Sequence, residues 1–210
     1  MTKPSLRDER RQQRQQLSRS QILDAAEDVF ARKGFHDAAI KEIGAQAEFS
    51  VGAVYSFFEN KDDLFVQIFL RRGGEFMSGM RTLLAEGRAP AEQLRRLAEF
   101  QIEFFRTHAN FGRLFLRASG ATLGDLESKI DRAVGDNYTE AMNLQAKLIR
   151  EGQDRGRLRD GDPEVLARLF SGLVSAYQAT DPVVTAGANP GTEPMPVAAF
   201  LDIVDATFRA

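Results

Sequence analysis

The stretch IKEIGAQAEFSVGAVYSFFENKDDLF, Ile40 to Phe65, decides the fold. Ile40, Ile43, Gly44 and Ala47 keep an i, i+3, i+4, i+7 apolar face, which predicts a short helix from about Ala39 to Ala47. Glu48 and Phe49 leave almost no room before Ser50, a good N-cap, opens a third helix. Two short helices joined by about three residues make a helix-turn-helix, and compact Gly44 and Ala47 permit the close crossing. Asn60 caps a fourth helix, with Asp62 and Asp63 in its first turn, where the macrodipole favours negative charge. Small Val51, Gly52 and Ala53 begin the third helix, where a buried helix would prefer bulk and a solvated one charge. Close approach by something else is the third possibility.

Upstream, Ser18 and Gln21 read as a capping box, Leu17 and Ile22 as its hydrophobic staple, and Ile22, Ala25, Ala26, Val29 and Phe30 as one stripe. The first helix is therefore expected over about 18–33, closed by a left-handed Gly34 with Phe35 packing back on Phe30. Downstream, breaks near Gly87–Pro90, Thr107–Gly112, Gly120–Asp125, Gly156–Pro163 and Asp181–Pro196 leave helices near 61–86, 91–106, 111–118, 126–155, 163–179 and 197–209. The stretch DPVVTAGANPGTEPMPV reads as a surface loop without chemistry. The expected fold class is all-α, with about nine helices and no internal repeat.

Composition narrows the function. With 43% hydrophobic residues in 210 the chain can build a proper core, and with no cysteine it offers neither a disulfide nor a thiolate metal site. No run approaches the roughly 18 apolar residues of a membrane span, and MTKPSLRDERRQQRQQ lacks the apolar core of a signal peptide, so a cytoplasmic, membrane-free protein is expected. Net charge is −2, yet Lys3, Arg7, Arg10, Arg11, Arg14 and Arg19 oppose only Asp8 and Glu9 in the first nineteen residues. A basic, Gln-rich arm is either a solvated tail or a phosphate-following segment. Two distant histidines, no Gly-rich phosphate loop and no H-E-x-x-H argue against an enzyme, a metal site or a nucleotide cofactor.

The segments ILDAAEDVFARKGF (22–35) and IKEIGAQAEFSVGAVYSFFENKDDLF (40–65) together resemble the TetR/AcrR family of bacterial transcriptional regulators, and EGQDRGRLRDGDPEVLARLFSGL (151–173) resembles the approach to that family's penultimate helix. The resemblance implies a basic N-terminal arm (1–16), a helix-turn-helix DNA-binding domain (17–76, the motif itself about 39–58) and a ligand-binding and dimerisation domain (77–210). It implies double-stranded operator DNA, a small-molecule effector and a second copy of the chain as partners. It carries phosphate contact to Ser50, Tyr55 and Lys61, and groove-facing positions to Val51, Gly52, Ala53 and Ser56. Small residues then become a clearance requirement for a helix entering the major groove. Val51 and Ala53 offer only apolar contact, so direct readout is sparse and shape and backbone contacts gain weight. Ala38-Ala39 replaces the hydroxyl that the family often uses to cap the second helix and touch phosphate, and Lys41 is expected to take over part of that contact.

Each assignment has a plainer counterpart. Val54 and Phe58 fall on the inward face and read as core, and His36 as solvated. Phe76, Phe100, Phe104, Phe105, Phe111 and Phe115 are either core or the wall of an apolar cavity. Phe100, Phe104, His108, Phe115, Tyr138, Met142 and Tyr177 are the candidate ligand residues, with Arg117 and Asn137 as further polar groups at the edge. Leu169, Gly172, Leu173 and Ala176, with Leu201, Val204 and Phe208, form apolar faces on the last two helices that either pair across a two-fold axis or pack within one subunit. Gly73-Gly74, mid-helix, is either a close-packing site or a hinge. The leading reading is a ligand-responsive repressor. The alternative is a helical small-molecule-binding protein that keeps the helix-turn-helix only as structure.

Overall fold

The computed structural model describes residues 5–120, 125–186 and 193–210, with the side chains of 119–120 and 125–134 left aside. Lys3, most of the Gly120–Asp125 break, and Gly187, Pro190 and Gly191 of the expected loop lie outside the described residues. The helices are α1 (Leu6–Lys33), α2 (Ile40–Gln46), α3 (Val51–Phe57), α4 (Lys61–Leu84), α5 (Pro90–Thr107), α6 (Ala109–Gly120), α7 (Asp125–Asp154), α8 (Pro163–Thr180), α9 (Pro182–Thr185) and α10 (Val197–Phe208). Among the described residues there is no β-strand, only an isolated antiparallel bridge between Leu158 and Arg209. No helix among them is long and apolar enough to cross a membrane.

The chain divides into two compact units, 1–69 and 70–210. In the first, Ile22, Ala26, Val29 and Phe30 of α1 are buried with Ile43 of α2, Val54 of α3, and Leu64 and Ile68 of α4. Gly34 closes α1 at φ 83°, ψ 169°, a conformation open essentially to glycine alone, and its N–H reaches the Phe30 carbonyl at 2.8 Å. The Phe35 ring then stacks on Phe30 at 5.8 Å, as the sequence predicts.

The start of α1 differs from expectation. The helix begins at Leu6, where the Ser5 side chain accepts from the Asp8 N–H, and Ser18 sits in its interior. Leu17 is exposed, so no staple forms. Residues 6–17 are mostly Arg, Gln, Glu and Leu, which prefer helix, and a good cap lies at their head, so the chain never leaves helical geometry at Ser18 as an N-cap must. The basic arm, from Leu6 on, is three rigid turns of helix.

In the second unit α5 is central. Leu94, Leu97, Ala98 and Ile102 pack with Met77 and Met80, with Leu148 and Ile149 of α7, and with Phe170 and Val174 of α8. Phe200, Leu201, Val204 and Phe208 of α10 complete that core. Pro90 and Pro163 occupy first helical positions, where a missing N–H costs nothing, and the Asp162 carboxylate accepts from the N–H groups of Glu164 and Val165. The beginning of the expected loop is instead structured: Asp181 caps α9, and both Asp181 and Val184 are buried.

Candidate nucleic-acid interface and effector region

The turn between α2 and α3 is built by backbone contact. The Phe49 N–H donates to the Gly44 carbonyl at 2.8 Å, and a Cβ on Gly44 would lie 2.8 Å from the Phe49 carbonyl oxygen, so only glycine fits. Ser50 Oγ accepts from the Ala53 N–H at 3.1 Å and starts α3. Val54 and Phe58 anchor α3 inward at 1% and 2% exposure, the core role expected of them. Val51, Gly52, Tyr55 and Ser56 face outward and Ala53 is half-buried. A Cβ on Gly52 would meet nothing within 4 Å, so no packing among the described residues requires a glycine there. The Ser56 hydroxyl donates to the Ala53 carbonyl at 2.6 Å, so its proton is committed and its oxygen remains an acceptor. Lys41 is exposed on α2, and Ala39 supplies no side-chain cap.

Two cations hold this element in place, and the sequence reading missed the role of one. Arg19, counted above only as part of a basic arm, donates to the Phe57 carbonyl at 3.0 Å and to Gln67 Oε1 at 2.7 Å, and lies 4.5 Å over the Phe58 ring. It caps the C-terminal end of α3. Lys61 Nζ donates to the carbonyls of Phe35, His36 and Ala38 at 2.8, 3.1 and 3.1 Å and lies over the Phe35 ring. All three ammonium donors serve the α1–α2 turn, so the phosphate contact expected of Lys61 requires it to release a carbonyl. Both interactions join residues more than twenty apart, and no local pattern signals them.

In the second unit, Phe76 meets Phe100 and Phe104 with ring centroids 5.5 and 5.3 Å apart, Phe104 meets His108 at 4.7 Å, and Phe105 links on to Phe111 and Phe115. His108 Nε2 lies 3.8 Å from a Glu75 oxygen. Four of the expected ligand residues, Phe100, Phe104, His108 and Phe115, thus belong to one aromatic chain. The other three stand apart from it. Tyr138 is 61% exposed and points outward, Met142 accepts a weak contact from the Ser171 hydroxyl, and Tyr177 packs on Phe200 at 4.5 Å. Arg117 is exposed, and the Asn137 amide abuts Gly73.

A buried polar cluster lies where the sequence suggested a plain loop. Arg106 Nε donates to the buried Asp181 carboxylate at 2.6 Å and its Nη2 to the Tyr177 hydroxyl, which donates in turn to the Met195 carbonyl. Burial pushes the Tyr177 phenol above its ordinary value, so it stays protonated. The Gln101 side chain is buried one residue after Phe100, and its Nε2 has no acceptor among the described residues.

The expected dimer residues separate. Leu169, Gly172 and Ala176 are exposed on α8 and Leu173 is half-buried, whereas Leu201, Val204 and Phe208 are buried in their own subunit's core. Helix α10 is apolar on two sides, and the side left open is Ala199, Ile203 and Ala206.

An outward-facing short helix, anchored by two apolar residues and preceded by a tight four-residue turn over 47–50, defines a helix-turn-helix protein. Residues 22–68 match the family described as bacterial regulatory proteins, tetR family, and residues 87–178 match the tetracyclin repressor-like C-terminal domain. The chain belongs to the TetR family and is a transcriptional regulator. It is 28% identical over 151 residues, 70% of this chain and 74% of the other, to the fatty acid metabolism regulator protein of Bacillus subtilis. The fold matches that of the transcriptional regulator FadR from Bacillus subtilis in complex with stearoyl-CoA, with a TM-score of 0.72 at 22% identity over 89% of this chain and 95% of that one. A Saccharomonospora viridis regulator in complex with choline gives 0.76 at 22% identity over 93% and 99%.

Proposed function

We propose that this protein is a homodimeric repressor that leaves operator DNA in the cytoplasm when a small, largely apolar effector binds. The observation that carries the DNA half is Gly52. Among the described residues nothing needs a glycine there, while a helix entering the major groove needs the clearance. Val51, Ala53 and Ser56 take the base edges, Ser50, Tyr55 and Lys41 the phosphates, and Lys61 chiefly braces the turn that presents α3. Dimerisation joins the open stripes of α8 and α10, Val165, Leu169, Gly172 and Ala176 with Ala199, Ile203 and Ala206, so that two recognition helices meet half-sites about 34 Å apart.

The effector half rests on the aromatic chain from Phe76 to Phe115, which suits an acyl chain, with Gln101 Nε2 and His108 as polar partners for a head group. The relation to a fatty acid regulator and to a stearoyl-CoA-binding one makes long-chain acyl-CoA the first effector to test. The experiment is selection of duplexes from a randomised pool by the full-length chain, followed by titration of the recovered duplex complex with stearoyl-CoA and with choline. Recovery of a two-fold symmetric sequence released by the acyl-CoA is expected. Failure to enrich any sequence overturns the operator reading, and release by choline alone overturns the effector assignment.

A further inference from the structure

Residues 6–17 form helix, yet every one of them except the half-buried Glu9 is exposed. Among the described residues nothing uses this extension as packing. A helix that is solvated on every side and unsupported is marginal in water, so its rigidity comes from continuity with the buried part of α1 and from the Ser5–Asp8 cap, where the Ser5 hydroxyl also donates to the Asp8 carboxylate at 2.7 Å. That leaves the function of its cations unexplained.

Their placement is regular. Arg7, Arg11, Arg14 and Ser18 follow i, i+4, i+7, i+11 spacing and make one stripe. The stripe borders an open groove of about 650 Å³ that Asp8, Gln15 and Phe57 also line. Asp8 is already engaged by Ser5, so the three guanidiniums dominate the groove's charge. Phe57 is the last residue of the recognition helix, and its carbonyl is the one that Arg19 caps. The arginine stripe therefore leads directly away from the end of α3. From Ser18 to Arg7 it runs 11 positions, about 16 Å of helix at 1.5 Å per residue. At 3.4 Å per nucleotide that is the backbone of about five base pairs.

We infer that the N-terminal extension of α1 is a rigid phosphate rail: Arg7, Arg11 and Arg14 bind the backbone of the duplex flanking the half-site that α3 occupies. The inference rests on the operator-binding reading and adds a second, sequence-independent contact to it. Guanidiniums suit the task because each fork pairs with phosphate oxygens in a fixed plane, and a helix holds three of them in register without the ordering cost of a disordered arm.

The test uses the full-length protein and two versions of the duplex recovered from a randomised pool, one trimmed to its bound core and one carrying eight further base pairs on each side. The wild type should bind the flanked duplex about tenfold or more tightly than the core at 0.1 M salt. The R7A/R11A/R14A variant should bind both alike, with a salt slope lower by about 2.7 per subunit. Alanine is the best helix former, so circular dichroism should show helix content undiminished. R7K/R11K/R14K should recover most of the slope. Equal wild-type binding to the two duplexes, or an alanine variant that keeps the flanking gain, overturns the rail. Equal loss on core and flanked duplexes places the arginines inside the half-site and overturns it as well. A wild type that binds no duplex defeats the operator reading itself, and the rail with it.

Discussion

The Arg19 guanidinium donates to the Phe57 carbonyl at 3.0 Å, so the first helix fixes the end of the third. The same side chain holds Gln67 on α4 and covers the Phe58 ring, which ties three helices through one cation. Arg19→Ala should cost about 2 kcal/mol of stability, the worth of charge-assisted bonds at a part-buried position. Arg19→Lys should recover only part of it, because an ammonium cannot reproduce the planar fork. Thermal denaturation of the isolated protein checks both, and a change below 0.5 kcal/mol for the alanine variant would reject the role.

Gly44 and Gly52 stand eight positions apart and should respond oppositely to alanine. At Gly44 the new Cβ would strike the Phe49 carbonyl oxygen, a backbone atom that cannot step aside, so Gly44→Ala should lower the melting temperature. At Gly52 the space is open, and alanine is the better helix former, so stability should hold or rise by up to about 1 kcal/mol. DNA affinity should nevertheless fall steeply for Gly52→Ala. An alanine there that binds as well as glycine removes the clearance argument.

Lys61→Met should act first on folding. It strips donors from three carbonyls around the α1–α2 turn, and a loss of about 2 kcal/mol is expected by denaturant titration. The salt slope of DNA binding should change little once the variant is compared under conditions where it is folded. A fall of about 0.9 per subunit would restore Lys61 to the phosphate contacts.

Leu169→Glu combined with Ile203→Glu should yield folded monomers by sedimentation, because both side chains face outward at 54% and 41% exposure. Leu201→Glu should instead unfold the chain, since it places a charge in the core beside Val204 and Phe208. A double variant that remains dimeric would show that the pairing face lies elsewhere.

Arg106→Met should leave the Asp181 carboxylate, 1% exposed, without its cation and, among the described residues, with the α9 cap as its remaining partner. A loss of about 2 kcal/mol or more follows from uncovering a buried charge-assisted bond. The double variant Arg106→Met with Asp181→Asn should recover part of that loss, which denaturant titration of the set would read. Additive losses would mean that the two residues act independently.

The sequence by itself determined the elements whose signals are local. The two residues between Ala47 and Ser50, the Ser50 cap, the Gly34 terminus and Pro163 at its first helical position each act through neighbours within a turn, so most helices and most boundaries were legible. Val54 and Phe58 were legible as core because periodicity fixes an inward face when only one face is apolar. Helix α10 has two apolar sides, and periodicity could not tell Leu201, Val204 and Phe208 from Ala199, Ile203 and Ala206; only the packing of α5, α7 and α8 decided which side closes the core. The Ser18 cap expected from its local pattern does not form, because the helix-forming run before it carries α1 straight through that position. Arg19 to Phe57, Lys61 to the Phe35–Ala38 carbonyls and Arg106 to Asp181 join residues 23 to 75 positions apart, and such bonds exist only once the chain has folded. A charged side chain looks the same in sequence whether it meets water or a buried carbonyl, and tertiary structure alone makes that choice.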